Sequence, residues 1–361
     1  MDMKYMFLQL FAQAGDVVNA TTQYVNAYTG TPTPFAGQNT LEGELKTFYD
    51  TELLENARVE MVYAQFAKKQ PLPANHGGTV EWRKFNTFAR ADKLTEGVIP
   101  TGQKMGMSTI TASINQYGTY ATISDKLDLR AYDPVLLIAS EEMGASAAET
   151  QEVLIRDGLL TNTNVLYCDN VAADGTFKST PTTPATMGAS EADGYALLTP
   201  DMVAKAATKM KKDRVPTIGG KYVAVIHPSV AYDLRKSKEW MDVHKYAAVT
   251  EIFNGEIGEL HGVRFVENTF APILGGTTYQ NKAGGVTYAT YFFGKDAYAI
   301  IDPAGGALQM IAHDKDEIGG PLNQFSTVGY KFETNGASVL YTERVLRVMS
   351  VSSYSATDEV N

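Results

Sequence analysis

Residues 133–160, DPVLLIASEEMGASAAETQEVLIRDGLL, read as one long helix with a marked beginning. Asp133 can cap the first free amides, and Pro134 follows where a helix tolerates proline, its φ already set and its amide not needed. Leu136, Ala139, Met143, Ala147, Thr150 and Leu154 recur at steps of three and four, which makes one face apolar. Glu141, Glu142, Glu149, Glu152 and Arg156 fall mostly elsewhere and are expected in water. At 1.5 Å per residue the rod would be roughly 40 Å long. Its buried stripe is rich in small residues, so another backbone can come close. The stretch is a spine on which a sheet can lie.

Outward from the spine, the preceding 57 positions alternate between strand and loop character. Gly77-Gly78 leads into TVEWRKFNTF (79–88), a β-prone run, and STITASINQYGTYATISDKL (108–127) is its return. Ile110, Ala112 and Ile114 share one parity, whereas beyond Gly118 the apolar positions are Ala121 and Ile123, so a bulge or bend is expected at Gly118. Between the runs lies the polar, glycine-punctuated ARADKLTEGVIPTGQKMGM (89–107). A two-stranded ribbon with so long a tip and so few large apolar groups is marginal in water by itself. It should lie on another copy of the chain, the competing reading being a lid over an active site.

Upstream, Leu45, Tyr49, Leu53, Ala57, Met61 and Ala64 share a face, predicting a helix from Gly43 to Lys69 that Pro71 and Pro73 end. Residues 1–40 have neither period and form an arm, with Phe7, Phe11, Tyr24, Tyr28 and Phe35 available to bury against a neighbour. Downstream, residues 170–194, rich in Thr, Pro, Ala and Gly, read as a loop or small insertion. Thr199-Pro200-Asp201 opens a second helix, with Val203, Ala206, Ala207 and Met210 inward, followed by the buried strand KYVAVIH and a helix from Pro228. From Val286 strands come thickly, and the last, ASVLYTERVLRVMSVS, should return to a sheet under the spine. Helices and strands in this mixture define an α+β chain.

Composition narrows the function. Forty-one acidic against 31 basic residues give a net charge of −10, which argues against a chain that coats nucleic acid. Cys168 is the only cysteine, which excludes an intrachain disulfide and cysteine-rich metal sites. Neither a secretion signal nor a membrane span is expected, because the apolar start MFLQLF is six residues long and lacks a basic flank. His76, His227, His244, His261 and His313 are dispersed without metal spacing, and phosphate-cradling or nucleophile-elbow motifs are absent. In HDKDEIGG, Asp314, Asp316 and Glu317 cluster, but Ile318 stands where a calcium loop needs its next oxygen. With no catalytic constellation, no cofactor and no metal are expected, and a structural protein is favoured over an enzyme.

The order of parts, together with GGTVEWRKF (77–85), Asp133-Pro134, HPSVAYDLR (227–235) and NGEIGELHGVRFVEN (254–268), resembles the major capsid proteins of tailed phages with the Hong Kong 97-type fold, and most nearly the family typified by coliphage N-four. FLQLFA (7–12) is similar to the opening of capsid proteins from phages of Gram-positive bacteria. The resemblance implies an N-terminal arm (1–43), an N-terminal helix (44–75), an E-loop hairpin (76–130), a P-domain with the spine helix and a following loop (131–196), an inserted A-domain (197–310) and returning strands that complete the P-domain (311–361). It implies a virion shell subunit, assembled in the host bacterial cytoplasm into hexamers and pentamers around double-stranded DNA. Its partners would be portal, scaffolding and decoration proteins, with no membrane. The arm is too short for a fused scaffold, so a separate scaffolding protein is expected, and no crosslinking motif accompanies Lys93 or Lys104. Phe35, Trp82, Arg83, Phe85, Lys93, Glu96, Lys104 and Tyr117 are the expected contacts between subunits. The alternatives are an encapsulin-like compartment and a hydrolase using Asp314, Asp316 or Glu317.

Overall fold

The computed structural model describes residues 61–73, 77–124 apart from eight positions between 86 and 101, 135–240, 256–303, 308–313 and 324–361, and in the arm three two-residue strands. Asp133 and Pro134, the expected start of the spine, lie outside the described residues, as do Phe35, Asp314, Asp316 and Glu317. The described chain divides into two compact units. One takes Gln116–Glu149 and Gly306–Glu333, the other Met61–Asn115, Thr150–Gly305 and Thr334–Asn361.

In the first unit a four-stranded sheet runs in the order Val18–Asn19, Asn115–Ser124, Phe325–Thr334, Gln309–His313. Its inward positions are Tyr117, Ala121 and Ile123, and Tyr117 stacks on Phe332 at 5.8 Å. The change of parity expected at Gly118 occurs earlier. Inward positions are even through Ala112 and Ile114 and odd from Tyr117, so the switch falls at residues 114–116, where the chain leaves one sheet for another. Gly118 has a different reason to be glycine. A Cβ there would meet the Tyr330 carbonyl at 2.6 Å, and one on Gly329 would meet the Thr119 carbonyl at 2.6 Å, so paired strands cross with no room for a side chain on either.

The second unit is built on a seven-stranded mixed sheet. Its order is Glu256–Leu260, Val263–Glu267, Tyr222–Ile226, Thr287–Phe293, Val345–Ser350, Val165–Tyr167, with Ile273–Leu274 paired to Thr287–Phe293. Every residue of the central Thr287–Phe293 is buried, which explains its continuous apolar and aromatic character. Helices Pro200–Lys212 and Pro228–Lys236 cover one face, placing Met202, Val203, Ala206 and Leu234 among Ala224, Ile226, Phe292 and Val348. Thr199 caps the first helix by accepting from the Met202 amide, and His227 caps the second through Nδ1, at 3.2 Å from the Ser229 amide, so that histidine is structural. The other face carries Val225, Tyr291, Phe293 and Val345, and on these lie Ile155 and Leu159 of the spine. The closing strand Val345–Ser350 returns beneath the C-terminal part of the spine, in the same sheet as Tyr222–Ile226.

The spine itself is the helix Val135–Leu160. Ala147, Ala148, Ile155 and Leu159 are buried and Glu141, Glu142 and Glu149 are exposed, in line with the helical period. Two positions depart from it: Glu152 is fully buried and Arg156 is 4 % exposed. A second departure explains the first. Of the helix expected from Gly43 to Lys69, residues 43–60 lie outside the described residues; what is described is the short helix Tyr63–Phe66, and Lys68–Leu72 is a strand running parallel to Tyr298–Pro303. Within a continuous helix the amides of Val62 and Tyr63 would bond the preceding turn; here both donate to the Glu152 carboxylate. The acid is buried because it terminates a neighbouring segment.

Residues 170–194, read as a loop or small insertion, form a small four-stranded sheet of two- and three-residue strands. Asn170 organises it: Nδ2 donates to Ser179 Oγ at 2.9 Å and the Thr186 carbonyl at 3.0 Å, while Oδ1 accepts from the Gly188 amide at 2.7 Å. Asn170→Ala would strand a buried amide and carbonyl at about 1–3 kcal/mol each. The expected loss is about 2–4 kcal/mol, read as a lower urea midpoint with unchanged slope.

Candidate assembly interface

Thr79–Phe85 pairs antiparallel with Met107–Ser113, from Thr79 opposite Ser113 to Phe85 opposite Met107. The register sorts the side chains by pleat. Val80 and Trp82 share a face with Ala112 and Ile110 and are wholly or partly covered, whereas Glu81, Arg83 and Phe85 lie on the other face with Thr111, Thr109 and Met107 and are exposed. Among the described residues no third strand is hydrogen-bonded to the ribbon. At the tip end of the strands it is held by Lys84, whose Nζ lies 4.6 Å from the Tyr341 ring centroid and 3.6 Å from Glu343, with Arg344 on the same ring at 3.8 Å. Beyond the strands, Gln103 closes the loop like a short ladder, accepting from the Ala89 amide at 2.8 Å and donating to the Ala89 carbonyl.

The distal end is apolar. Phe85, Phe88, Ile99, Met105 and Met107 are 57, 58, 94, 65 and 53 % exposed. Five large apolar side chains within 23 residues, all half or more in water, form a surface that costs free energy until something covers it. Arg83 pairs with Glu81 at 3.3 Å on the exposed face, and Lys93, Glu96 and Lys104 are exposed on the tip. Trp82 is half-buried, its indole N–H enclosed without an acceptor. Tyr117 is not on the ribbon at all and is occupied by Phe332 of its own unit. The sequence reading chose charged and aromatic residues and passed over Phe88, Ile99, Met105 and Met107; their signal was an apolar residue wherever the tip had no core to fill.

For other chemistry the described residues offer little. No group of three His, Cys, Asp or Glu among them could hold a metal ion, and no described helix is long and apolar enough to cross a membrane. Cys168 is buried, and burial pushes its thiol far up from its ordinary value, away from the reactive thiolate.

No curated protein matches the chain. Among solved structures it is similar to the capsid chain of the cyanophage Pam1, with 12 % identity over 94 % of this chain and 100 % of that one and a TM-score of 0.57. For the capsid of the cyanophage P-SCSP1u the values are 14 % identity, 91 and 97 % coverage and 0.56, and for the capsid of Ralstonia phage GP4 they are 13 %, 89 and 95 %, and 0.53. At such identities these likenesses establish the fold, which is the Hong Kong 97-type. A family model described as phage capsid protein matches residues 108–314, more than half of the chain, from the return strand of the ribbon through the whole of the seven-stranded sheet except its closing strand. An α+β shell fold, an unpartnered ribbon ending in apolar side chains and this match agree: the chain belongs to the phage capsid protein family.

Proposed function

We propose that this chain is the major capsid protein of a tailed phage, the subunit that forms hexamers and pentamers of an icosahedral head around double-stranded DNA. The observation that carries the assembly reading is the ribbon, whose tip exposes five large apolar side chains. In this reading 76–130 is the E-loop lying over a neighbouring subunit, 131–196 with 311–361 is the P-domain, 197–310 is the A-domain, and 1–43 and 44–75 are the arm and N-terminal helix. Trp82, Arg83, Phe85, Lys93, Glu96 and Lys104 lie in the contact region together with the apolar tip. The motifs at 227–235 and 254–268 favour the subfamily typified by coliphage N-four. The net charge of −10 suits a lining that encloses DNA without gripping it. Scaffolding and portal proteins complete assembly in the host cytoplasm, and the role is structural rather than catalytic.

The test is particle formation. Residues 1–361, expressed with the phage's scaffolding protein and examined by light scattering and negative-stain electron microscopy, should give closed shells or free capsomers. A chain that stays monomeric under those conditions overturns the proposal.

A further inference from the structure

Glu152 sits beside Val62 and Tyr63, at the start of the second unit. Its Oε1 accepts from the amides of Val62 and Tyr63, its Oε2 from Tyr63 at 3.1 Å, and Asn268 Nδ2 donates to Oε1 at 3.3 Å. Directly beside this clamp the Tyr63 ring is fully buried, edge-on to Tyr291 at 6.2 Å and Phe293 at 6.3 Å, and its carbonyl accepts from the Tyr298 hydroxyl. Parts distant in sequence converge here: the segment at 62–66, the spine, the strands Thr287–Phe293 and Tyr298–Pro303, and Asn268. The polar link between the first of them and the spine is the Glu152 carboxylate.

We propose that Glu152 and Tyr63 form a proton-operated latch that fastens residues 62–66 to the spine helix and loosens as pH rises from the acid side to neutrality. The direction follows from solvation. Burial pushes the Glu152 carboxyl up from 4.5 to about 7, against the opposing pull of the bonds from Val62, Tyr63 and Asn268. With the latch open the carboxyl meets water and regains its ordinary value. A group whose value is raised in the closed state contributes its full stabilisation below the open-state value of 4.5 and loses it as pH rises through about 7. Acid therefore tightens the latch and alkali releases it, with the change spread between those two values.

The surroundings leave Glu152 as the group that titrates. Tyr63, Tyr291 and Tyr298 face the same space, and burial holds all three hydroxyls above their ordinary range, so they stay neutral. Of the charged groups nearby, Arg156, one turn along the spine, is paired with Asp157 at 2.9 Å, and Arg347 donates to the Leu160 carbonyl at 3.0 Å. The inference does not depend on assembly into a shell, since every group in it belongs to one chain.

Hydrogen exchange of the full-length chain tests it. After correction for the intrinsic base-catalysed rate, protection of the amides at 62–66 should fall roughly 100-fold between pH 5 and pH 9, while strand Tyr222–Ile226 stays flat. In E152Q the dependence should vanish, and in N268A its midpoint should move upward because one bond favouring the anion is gone. Protection at 62–66 that is flat in the unaltered chain overturns the proposal without recourse to any variant, and so does a slope that survives in E152Q.

Discussion

Replacing Phe88, Ile99 and Met105 together by serine should abolish shell assembly and leave the subunit folded. The three side chains are 58, 94 and 65 % exposed, so the isolated chain has little to lose. Surface substitutions of this kind move stability by about 0.5 kcal/mol or less. In the assembled state each would be covered by a neighbour, and full burial of such a side chain stabilises by about 1.5–3 kcal/mol. Since 58, 94 and 65 % of these side chains remains to be covered, the loss is about 3–7 kcal/mol at every contact, more than about a hundredfold in each pairwise constant, repeated around the capsomer. Sedimentation should show a slow, monodisperse species whose circular dichroism and urea midpoint match those of the unaltered chain. Shells of normal size and yield from this variant would mean that the tip is not an assembly contact.

Those three residues also mark where sequence reasoning reaches its limit. The ribbon was legible because strand alternation is local: Val80 and Trp82 against Ile110 and Ala112 announce a covered face without knowledge of what covers it. The spine was legible for the same reason, its period of 3.6 being a property of the helix alone. Glu152 was not. A glutamate at that position reads as wet, and the fact that makes it buried, two free amides at residues 62 and 63, lies about 90 residues away in sequence. The small sheet at 170–195 escaped because strands of two or three residues are too short to show alternation, and what holds them is one asparagine side chain. The parity switch near residue 115 was seen but assigned to the nearest glycine, whereas its cause is a change of partner strand. A single cysteine needs no structure to interpret, since it leaves neither an intrachain disulfide nor a cysteine-rich metal site.

Gly158→Ala should destabilise the chain even though alanine is the better helix former. By propensity alone the change gains about 1 kcal/mol. Against that gain, an added Cβ would stand 2.5 Å from the Ala337 carbonyl oxygen and 2.8 Å from its amide nitrogen, both backbone atoms that cannot rotate aside. Nor can the turn at 335–337 retreat. Asn335 Oδ1 accepts from the Ile301 amide at 2.8 Å, its Nδ2 donates to Ser338 Oγ at 3.0 Å, and the Gly336 amide bonds Thr334 Oγ1. Moving the helix instead would pull Ile155 and Leu159 off Tyr291, Phe293 and Val345. Overpacking that displaces a backbone costs about 1–3 kcal/mol and sometimes more, and with both partners pinned the upper end applies. The net expectation is a loss of about 2 kcal/mol, measured as a lower urea midpoint, with Gly158→Val losing more. A variant as stable as the parent would show that the spine and the 334–338 turn are not in contact in solution. The small-residue stripe read from the sequence would then need another reason. With the loss observed, the stripe has a physical meaning: it is the place where a returning backbone, rather than side chains, packs on the spine.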